Sequence, residues 1–375
     1  MFNSETKICQ NCKTFFIIDA QDFEFYEKIK VPSPTFCPEC RMIRRMCFRN
    51  ERSLYKRKCD LCEKDIISIY SPKSSLKIYC QECWWSDNWD PMIYGNKFNF
   101  NKTFFEQFQK LKREVPIQSI YQTNCINSPW INRESNSKNC YLNVGGIQNE
   151  DCAYNTYALY SKEVFDNYLI LKSELCYENF FCRNCYKTFF SRFCFNCQEV
   201  YFSLNCRNCS NLIGCANLKH KSYHIFNKPV GKEEYKEFLE KNLLKNQKTI
   251  QLIKEKFEKF RISILYKFVF STNIIDCVGD FLEESKNCKF CFNVEKTENS
   301  KYGLIIGWSR DSYDILSIGP NCQFSYEFAS GSVGNYILFS YDCMDNHNLI
   351  YCKNISNSSN LFGCVGLRHK QYCIL

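Results

Sequence analysis

The residues best placed to do chemistry are eight cysteines near the N-terminus, arranged as four Cys-x2-Cys pairs: Cys9 with Cys12, Cys37 with Cys40, Cys59 with Cys62, and Cys80 with Cys83. Two thiols separated by two residues form a knuckle that offers two soft ligands to one ion. Two knuckles brought together satisfy the tetrahedral, sulfur-rich preference of zinc. The spacing therefore predicts two structural zinc ions, one on Cys9, Cys12, Cys37 and Cys40, the other on Cys59, Cys62, Cys80 and Cys83. Thiolate quartets do not by themselves distinguish zinc from iron or an iron–sulfur cluster.

A basic run joins the two quartets, with Arg41, Arg44, Arg45, Arg49, Arg52, Lys56, Arg57 and Lys58 set against a single acid, Glu51. Read as a helix, it places Arg41, Arg45, Arg49 and Arg52 on one face, where guanidinium groups could lie against RNA or DNA phosphates. The competing reading gives these arginines to zinc-bound sulfur and to nearby carboxylates. Next comes Trp84-Trp85-Ser86-Asp87-Asn88-Trp89, either a stacking platform for bases or a cluster that packs the second knuckle onto its neighbour.

Three more Cys-x2-Cys pairs lie twelve residues apart: Cys182 with Cys185, Cys194 with Cys197, and Cys206 with Cys209. They resemble a third metal site, but the chain is internally duplicated. Ser359 to Leu375 repeats Ser210 to Phe226 in residue type, and at that offset the six positions become Gly331, Gly334, Cys343, Asn346, Ile355 and Ser358. These cysteines are therefore read as small apolar fillers of a tight interior, with a redox enzyme as the minor alternative. The sequence shows no phosphate loop, no His-Glu-x-x-His and no nucleophile elbow, and it holds four histidines. Of these, His220 and His369 occupy equivalent repeat positions. The chain is read as non-enzymatic.

The elements that must position these groups come from the repeat. From Lys138 to Lys221 the chain divides into seven blocks of twelve, with Cys140, Cys152, Val164, Cys176, Thr188, Val200 and Leu212 at the third position. The sixth position reads Asn143, Asn155, Asn167, Asn179, Ser191, Ser203 and Cys215. Small, large and polar residues recurring at fixed places, rich in β-branched and aromatic types, predict a β-solenoid whose stacked Asn and Ser form ladders. Twelve residues could close a whole coil or half of one, and half is favoured. The predicted fold is mainly β: tandem zinc ribbons over 1–92, a connector helix and cap over 93–130, and a first array over 131–227. A helical hairpin follows over 228–268, carrying Tyr235, Phe238, Leu239 and Leu243 on one stripe and Ile250, Ile253, Phe257, Phe260 and Ile264 on the next. The second array covers 269–375.

With 28 cysteines, a formal net charge of +9 and no apolar run long enough to span a membrane, the chain is expected to be a cytoplasmic protein whose thiols stay reduced. The positive charge hints at an acidic partner, although each zinc tetrathiolate carries about −2 and absorbs part of it. The expected partners are RNA or DNA on the basic run, a protein on the array face, and a second copy through the uncapped C-terminal end.

The segments CPECRMIRRMCFRNERSLYKRKCDLC (37–62), YCQECWWSDNWDP (79–91) and SELCYE (173–178), with the array ends NLKHKSY and GLRHKQY, resemble an uncharacterised zinc-ribbon family of small-genome uncultured bacteria. The likeness covers nearly the whole chain. It implies the same ribbons and Cys-rich repeats and supplies no mechanism. Members of that family continue past the second array into another helix and ribbon, so the resemblance implies a short member or a fragment.

Overall fold

The computed structural model describes residues 2–242 and 246–375, so Leu243 of the predicted helical stripe lies outside the described residues. The protein is mainly β with six α-helices among those residues. It divides into two compact units, one of Met1–Asn50, Ser74–Ile117 and Lys267–Leu375, the other of Glu51–Lys73 and Gln118–Tyr266.

At the N-terminus β1 (Glu5–Ile8) and β2 (Phe15–Ile18) pair antiparallel, with Ile8 opposite Phe15 and Glu5 opposite Ile18. Helix α1 (Ala20–Lys28) starts at Asp19, which forms a reciprocal capping box with Asp22. Helix α2 (Pro38–Met46) has Cys37 as its N-cap and Pro38 in its first turn, where a missing N–H costs nothing. The chain leaves helical form after Met46, and residues 55–58 return as β3 (Tyr55–Lys58), paired antiparallel with β4 (Asp65–Ser68). This corrects an expectation: the basic run is not one helix, so Arg49 and Arg52 do not share a face with Arg41 and Arg45. Helix α3 (Gln81–Trp85) begins on Cys80. Helix α4 (Phe104–Glu114), with a Thr103–Glu106 capping box, ends at Val115 before Pro116.

In the second unit most strands lie in two sheets of parallel strands, which the chain visits alternately from Thr156 to Phe189. Thr156–Leu159, Tyr168–Leu171 and Phe180–Arg183 belong to one; Lys162–Phe165, Glu174–Tyr177 and Tyr186–Phe189 belong to the other. Their parallel pairings are offset by twelve: Thr156 faces Tyr168, Tyr168 faces Phe180, Val164 faces Cys176 and Val200 faces Leu212. The chain thus returns to the same lateral position after twelve residues. The half-coil expectation is corrected: successive layers are twelve residues apart, not twenty-four.

The reason lies in the backbone. A left-handed residue recurs every third position, as at Asp151, Tyr154, Tyr157, Tyr160, Glu163 and Asp166, with φ between 50° and 61°. Four such corners in twelve residues turn the chain so that residues twelve apart come into register. Most side chains pay about 1–2 kcal/mol per corner, which Asn tolerates best, and ladder hydrogen bonds offset the cost. The ladder expected at the sixth position is present: Asn155 Nδ2 donates to Asn143 Oδ1 at 3.1 Å, Asn167 to Asn155 at 2.9 Å and Asn179 to Asn167 at 3.1 Å. Below them the backbone N–H of Ser203 donates to Ser191 Oγ. Interior positions hold Ile131, Val164, Ile170, Leu212 and the array cysteines. Helices α5 (Lys232–Asn242) and α6 (Gln247–Ile262) lay Tyr235, Ile253 and Phe257 on Tyr201, Phe202 and Ile213 of the last layers.

The first unit carries the second array, with the same offset of twelve in pairs such as Ile306 with Ile318 and Leu349 with Leu361. One layer is longer: Tyr313 faces Tyr326, thirteen residues on. That extra residue explains why Cys288 and Cys364 are one residue further apart than Cys140 and Cys215. On this array sit α1 and α2, with Phe25 stacked on Tyr313 at 3.9 Å and the side chains of Phe16, Ile18, Tyr26 and Ile29 buried in the same cluster. Helix α4 places Phe104 against Phe362 and Tyr351.

Candidate metal centres

The first and third pairs are built the same way. In the first, the Cys9 N–H donates to the Thr14 carbonyl and the Lys13 N–H returns to the Cys9 carbonyl, with Lys13 left-handed at φ 64°. In the third pair, the Cys59 N–H donates to Lys64 and the Glu63 N–H to Cys59, with Glu63 at φ 59°. The second and fourth pairs open helices: Cys37 caps α2 and Cys80 caps α3, so Cys40 and Cys83 lie in first turns, where the helix dipole favours a thiolate.

The sulfurs of Cys9, Cys12, Cys37 and Cys40 all lie within 4.8 Å of one another, as do those of Cys59, Cys62, Cys80 and Cys83. Among the described residues no other group of three or more His, Cys, Asp or Glu meets that criterion. A tetrahedron with metal–sulfur bonds of about 2.3 Å has edges of about 3.8 Å, and Cys12 Sγ is 3.6 Å from Cys37 Sγ. Both quartets could hold a metal ion. The first is further fitted for thiolates by donors aimed at sulfur: the Cys37 N–H reaches Cys9 Sγ at 3.2 Å, Asn11 Nδ2 reaches Cys40 Sγ at 3.4 Å, and Thr14 Oγ1 is 3.0 Å from Cys12 Sγ. Burial opposes ionisation of Cys9, yet backbone N–H groups of Cys37, Cys12 and Asn11 bring its thiol down to about 6. Burial pushes Cys37 the other way, to about 12. A dication bound by both sulfurs removes this opposition, because its charge holds every ligand as thiolate.

The array cysteines behave otherwise. Cys182, Cys194 and Cys206 are fully buried, and each sulfur sits near two carbonyls, one two residues back and one nine residues on, as with Cys194 at 3.6 Å from Arg192 O and 3.9 Å from Ser203 O.

The basic run is divided: Arg41 and Arg45 are buried, while Arg44, Arg52, Lys56 and Lys58 are exposed. Arg41 and Arg45 are each 1% exposed. Arg41 Nε donates to Asp314 Oδ2 at 3.0 Å and Arg45 Nη1 to Asp314 Oδ1 at 2.9 Å, with Glu327 Oε2 3.5 Å from Arg45. Arg44 Nη2 donates to Glu327 Oε1 at 2.6 Å, and the Arg41 guanidinium lies over the Tyr302 ring. Asp314 is wholly buried and Glu327 nearly so. In the other unit Arg52 donates to Thr156 Oγ1, Lys56 lies over the Trp130 ring, and Arg57 pairs with Asp60. Lys58 makes an exposed pair with Asp65, and Arg49 is half-buried. The expectation of a single basic surface is therefore corrected for Arg41 and Arg45: each is sealed against a carboxylate and cannot reach a phosphate. The acids missed by sequence reasoning, Asp314 and Glu327, stand some 270 residues downstream with no local motif around them. Of the tryptophans, Trp84 and Trp89 are buried and pack on each other, and Arg368 lies 5.4 to 5.8 Å from the rings of Trp84, Trp85 and Trp89. The cluster packs the α3 segment onto the second array.

In comparison with known proteins, no family model matches the chain and no curated protein matches it.

Proposed function

We propose that the protein is a non-enzymatic scaffold in which two zinc ions hold ribbon knuckles against twelve-residue β-solenoid arrays. The observation that carries this reading is α2. Its first turn bears Cys37 and Cys40, and its next turns bear Arg41, Arg44 and Arg45, which bind the array acids Asp314 and Glu327. Metal and array are thereby two ends of one short helix. The parallel offset of twelve, the alternation between two sheets and the regular left-handed corners support the solenoid assignment. The sulfur-only ligand sets support zinc held for structure, since four thiolates leave no open position for a substrate.

Partners in this reading are proteins on the broad array faces, together with self-association along the strand Gln371–Ile374, where Tyr372 and Ile374 are exposed. Burial of Arg41 and Arg45 favours this over the nucleic-acid reading, which retains Arg44, Lys56 and Lys58. Fluorescence anisotropy with labelled single-stranded and duplex 20-mers between 50 and 300 mM salt separates the two. The scaffold reading expects only weak association. Tight binding whose log–log salt slope falls by about two to three units in an Arg44→Gln, Lys56→Gln, Lys58→Gln variant would establish the nucleic-acid reading instead.

A further inference from the structure

The first array carries a groove of about 530 Å³ that lies wholly within the second unit and belongs to neither metal centre. Its construction follows from the repeat. Tyr154, Asp166 and Glu178 occupy one left-handed corner of three successive layers. Thr156, Tyr168, Phe180 and Arg192 stack in register on the other side, Thr156 facing Tyr168, Tyr168 facing Phe180 and Phe180 facing Arg192. Between the two columns run the buried amides of Asn155, Asn167 and Asn179, already hydrogen-bonded to one another. The groove therefore runs along the stacking direction and is about 14 Å long over four layers of about 4.8 Å.

Its surface sets two stacked rings, Tyr168 and Phe180, opposite two carboxylates, Asp166 and Glu178. Tyr168 and Phe180 stack at 5.2 Å and 8°, giving an aromatic wall two layers high, and Tyr154 is 51% exposed on the opposite column. Arg52, donating to Thr156 Oγ1 at 2.7 Å, closes one end, and Arg192 stands at the other. Glu178 is paired with Lys254 at 3.5 Å, whereas Asp166 makes no ion pair among the described residues. Two guanidinium groups at the ends and two carboxylates in the middle leave the lining without net charge.

From this we infer that the groove binds a linear, uncharged oligosaccharide. A polyanion such as single-stranded nucleic acid would meet Asp166 and Glu178 at the centre, and a polycation would meet Arg52 and Arg192 at the ends. A neutral sugar chain matches both halves of the lining. Its C–H faces lie on aromatic rings, and its vicinal hydroxyls form paired hydrogen bonds with two-oxygen carboxylates and forked guanidinium groups. The inference does not rest on the zinc reading, since no metal ligand lines the groove.

The test is isothermal titration calorimetry of the zinc-supplemented full chain with cellohexaose, mannohexaose, maltohexaose and the N-acetylglucosamine hexamer. Hexagalacturonate, a twelve-residue oligothymidylate and hexalysine serve as charged comparisons. At least one neutral hexamer binds, more tightly than its disaccharide. Asp166→Asn and Tyr154→Asn, both at exposed left-handed positions where Asn is tolerated, weaken it by about threefold to tenfold each. Unchanged circular dichroism and metal content show that these variants are folded. The inference is overturned if no neutral hexamer binds, if binding ignores both substitutions, or if oligothymidylate or hexalysine binds in preference and is lost in the same variants.

Discussion

Asp314 is the most exposing place to strike the link between α2 and the second array. It is wholly buried and is shared by Arg41 at 3.0 Å and Arg45 at 2.9 Å, both themselves 1% exposed. Asp314→Ala leaves the buried Arg41 and Arg45 facing one remaining carboxylate, Glu327, which lies 3.5 to 3.9 Å away and already accepts from Arg44. Removing one partner from a buried ion pair costs about 3 to 5 kcal/mol, and the nearby Glu327 places the expectation at the lower end, about 3 kcal/mol. An exposed pair such as Lys58 with Asp65 contributes less than about 1 kcal/mol, so Lys58→Gln is the control. Because α2 also carries Cys37 and Cys40, the destabilisation should be read in two places. Hydrogen exchange of Tyr313–Ile318 and Tyr326–Leu338 should quicken by about a hundredfold, and a chromogenic chelator should strip metal from the Cys9 quartet faster. Replacing Arg41 and Arg45 with Met together with Asp314→Leu and Glu327→Met should recover much of the loss, since apolar groups of similar volume need no partner. If Asp314→Ala matches Lys58→Gln in both readouts, the fastening argument is wrong.

Three further outcomes follow from other parts of the molecule. Glu134 is 3% exposed, accepts from Ser137 Oγ at 2.6 Å, and is raised to about 7 by burial. A carboxyl whose folded pKa is raised stabilises the fold below its unfolded pKa and loses that contribution as pH climbs through 7. The first array should therefore weaken by about 3 kcal/mol between pH 4.5 and 8, and Glu134→Gln should flatten the dependence of the urea midpoint on pH. Asn167→Ala removes the middle rung of the amide ladder: the Asn179 backbone N–H loses its acceptor, while Asn155 Oδ1 keeps the residue-167 N–H and Asn179 Nδ2 keeps the Thr188 carbonyl, so the change should cost about 2 kcal/mol in urea titrations, against about 1 kcal/mol for Asn184→Ala on the exposed ladder, where the left-handed corner is the main loss. Cys194→Ala should leave the metal content unchanged, whereas Cys37→Ala should lower it by one ion, as measured by native mass spectrometry.

The ligand cysteines could be found in the sequence because a knuckle is local: Cys-x2-Cys encodes its own turn, and Pro38 announces the helix that Cys37 caps. The repeat was visible for a similar reason, since stacked layers must place like residues at a fixed spacing. The coil size was hidden, because any residue can be forced into a left-handed corner once ladders offset the strain, as Tyr154, Glu163 and Phe181 are. The Asn residues at Asn205, Asn208, Asn211 and Asn217 were the available clue to corners at multiples of three. The basic run was misread because helical periodicity says nothing about where a helix ends. After Met46 the chain turns so that Phe48 can stack on Tyr341 at 4.7 Å, a partner from the far end of the sequence. The roles of Arg41 and Arg45 were out of reach for the same reason, their acids lying in a layer of the second array.

The central claim, that two four-cysteine centres each hold one structural zinc ion, is tested most directly by metal analysis of the purified chain together with native mass spectrometry. The account predicts two zinc ions per chain, one lost in Cys37→Ala and both lost in Cys37→Ala combined with Cys80→Ala. No metal, iron in place of zinc, or three or more ions with one retained by Cys182, Cys194 and Cys206 would contradict it.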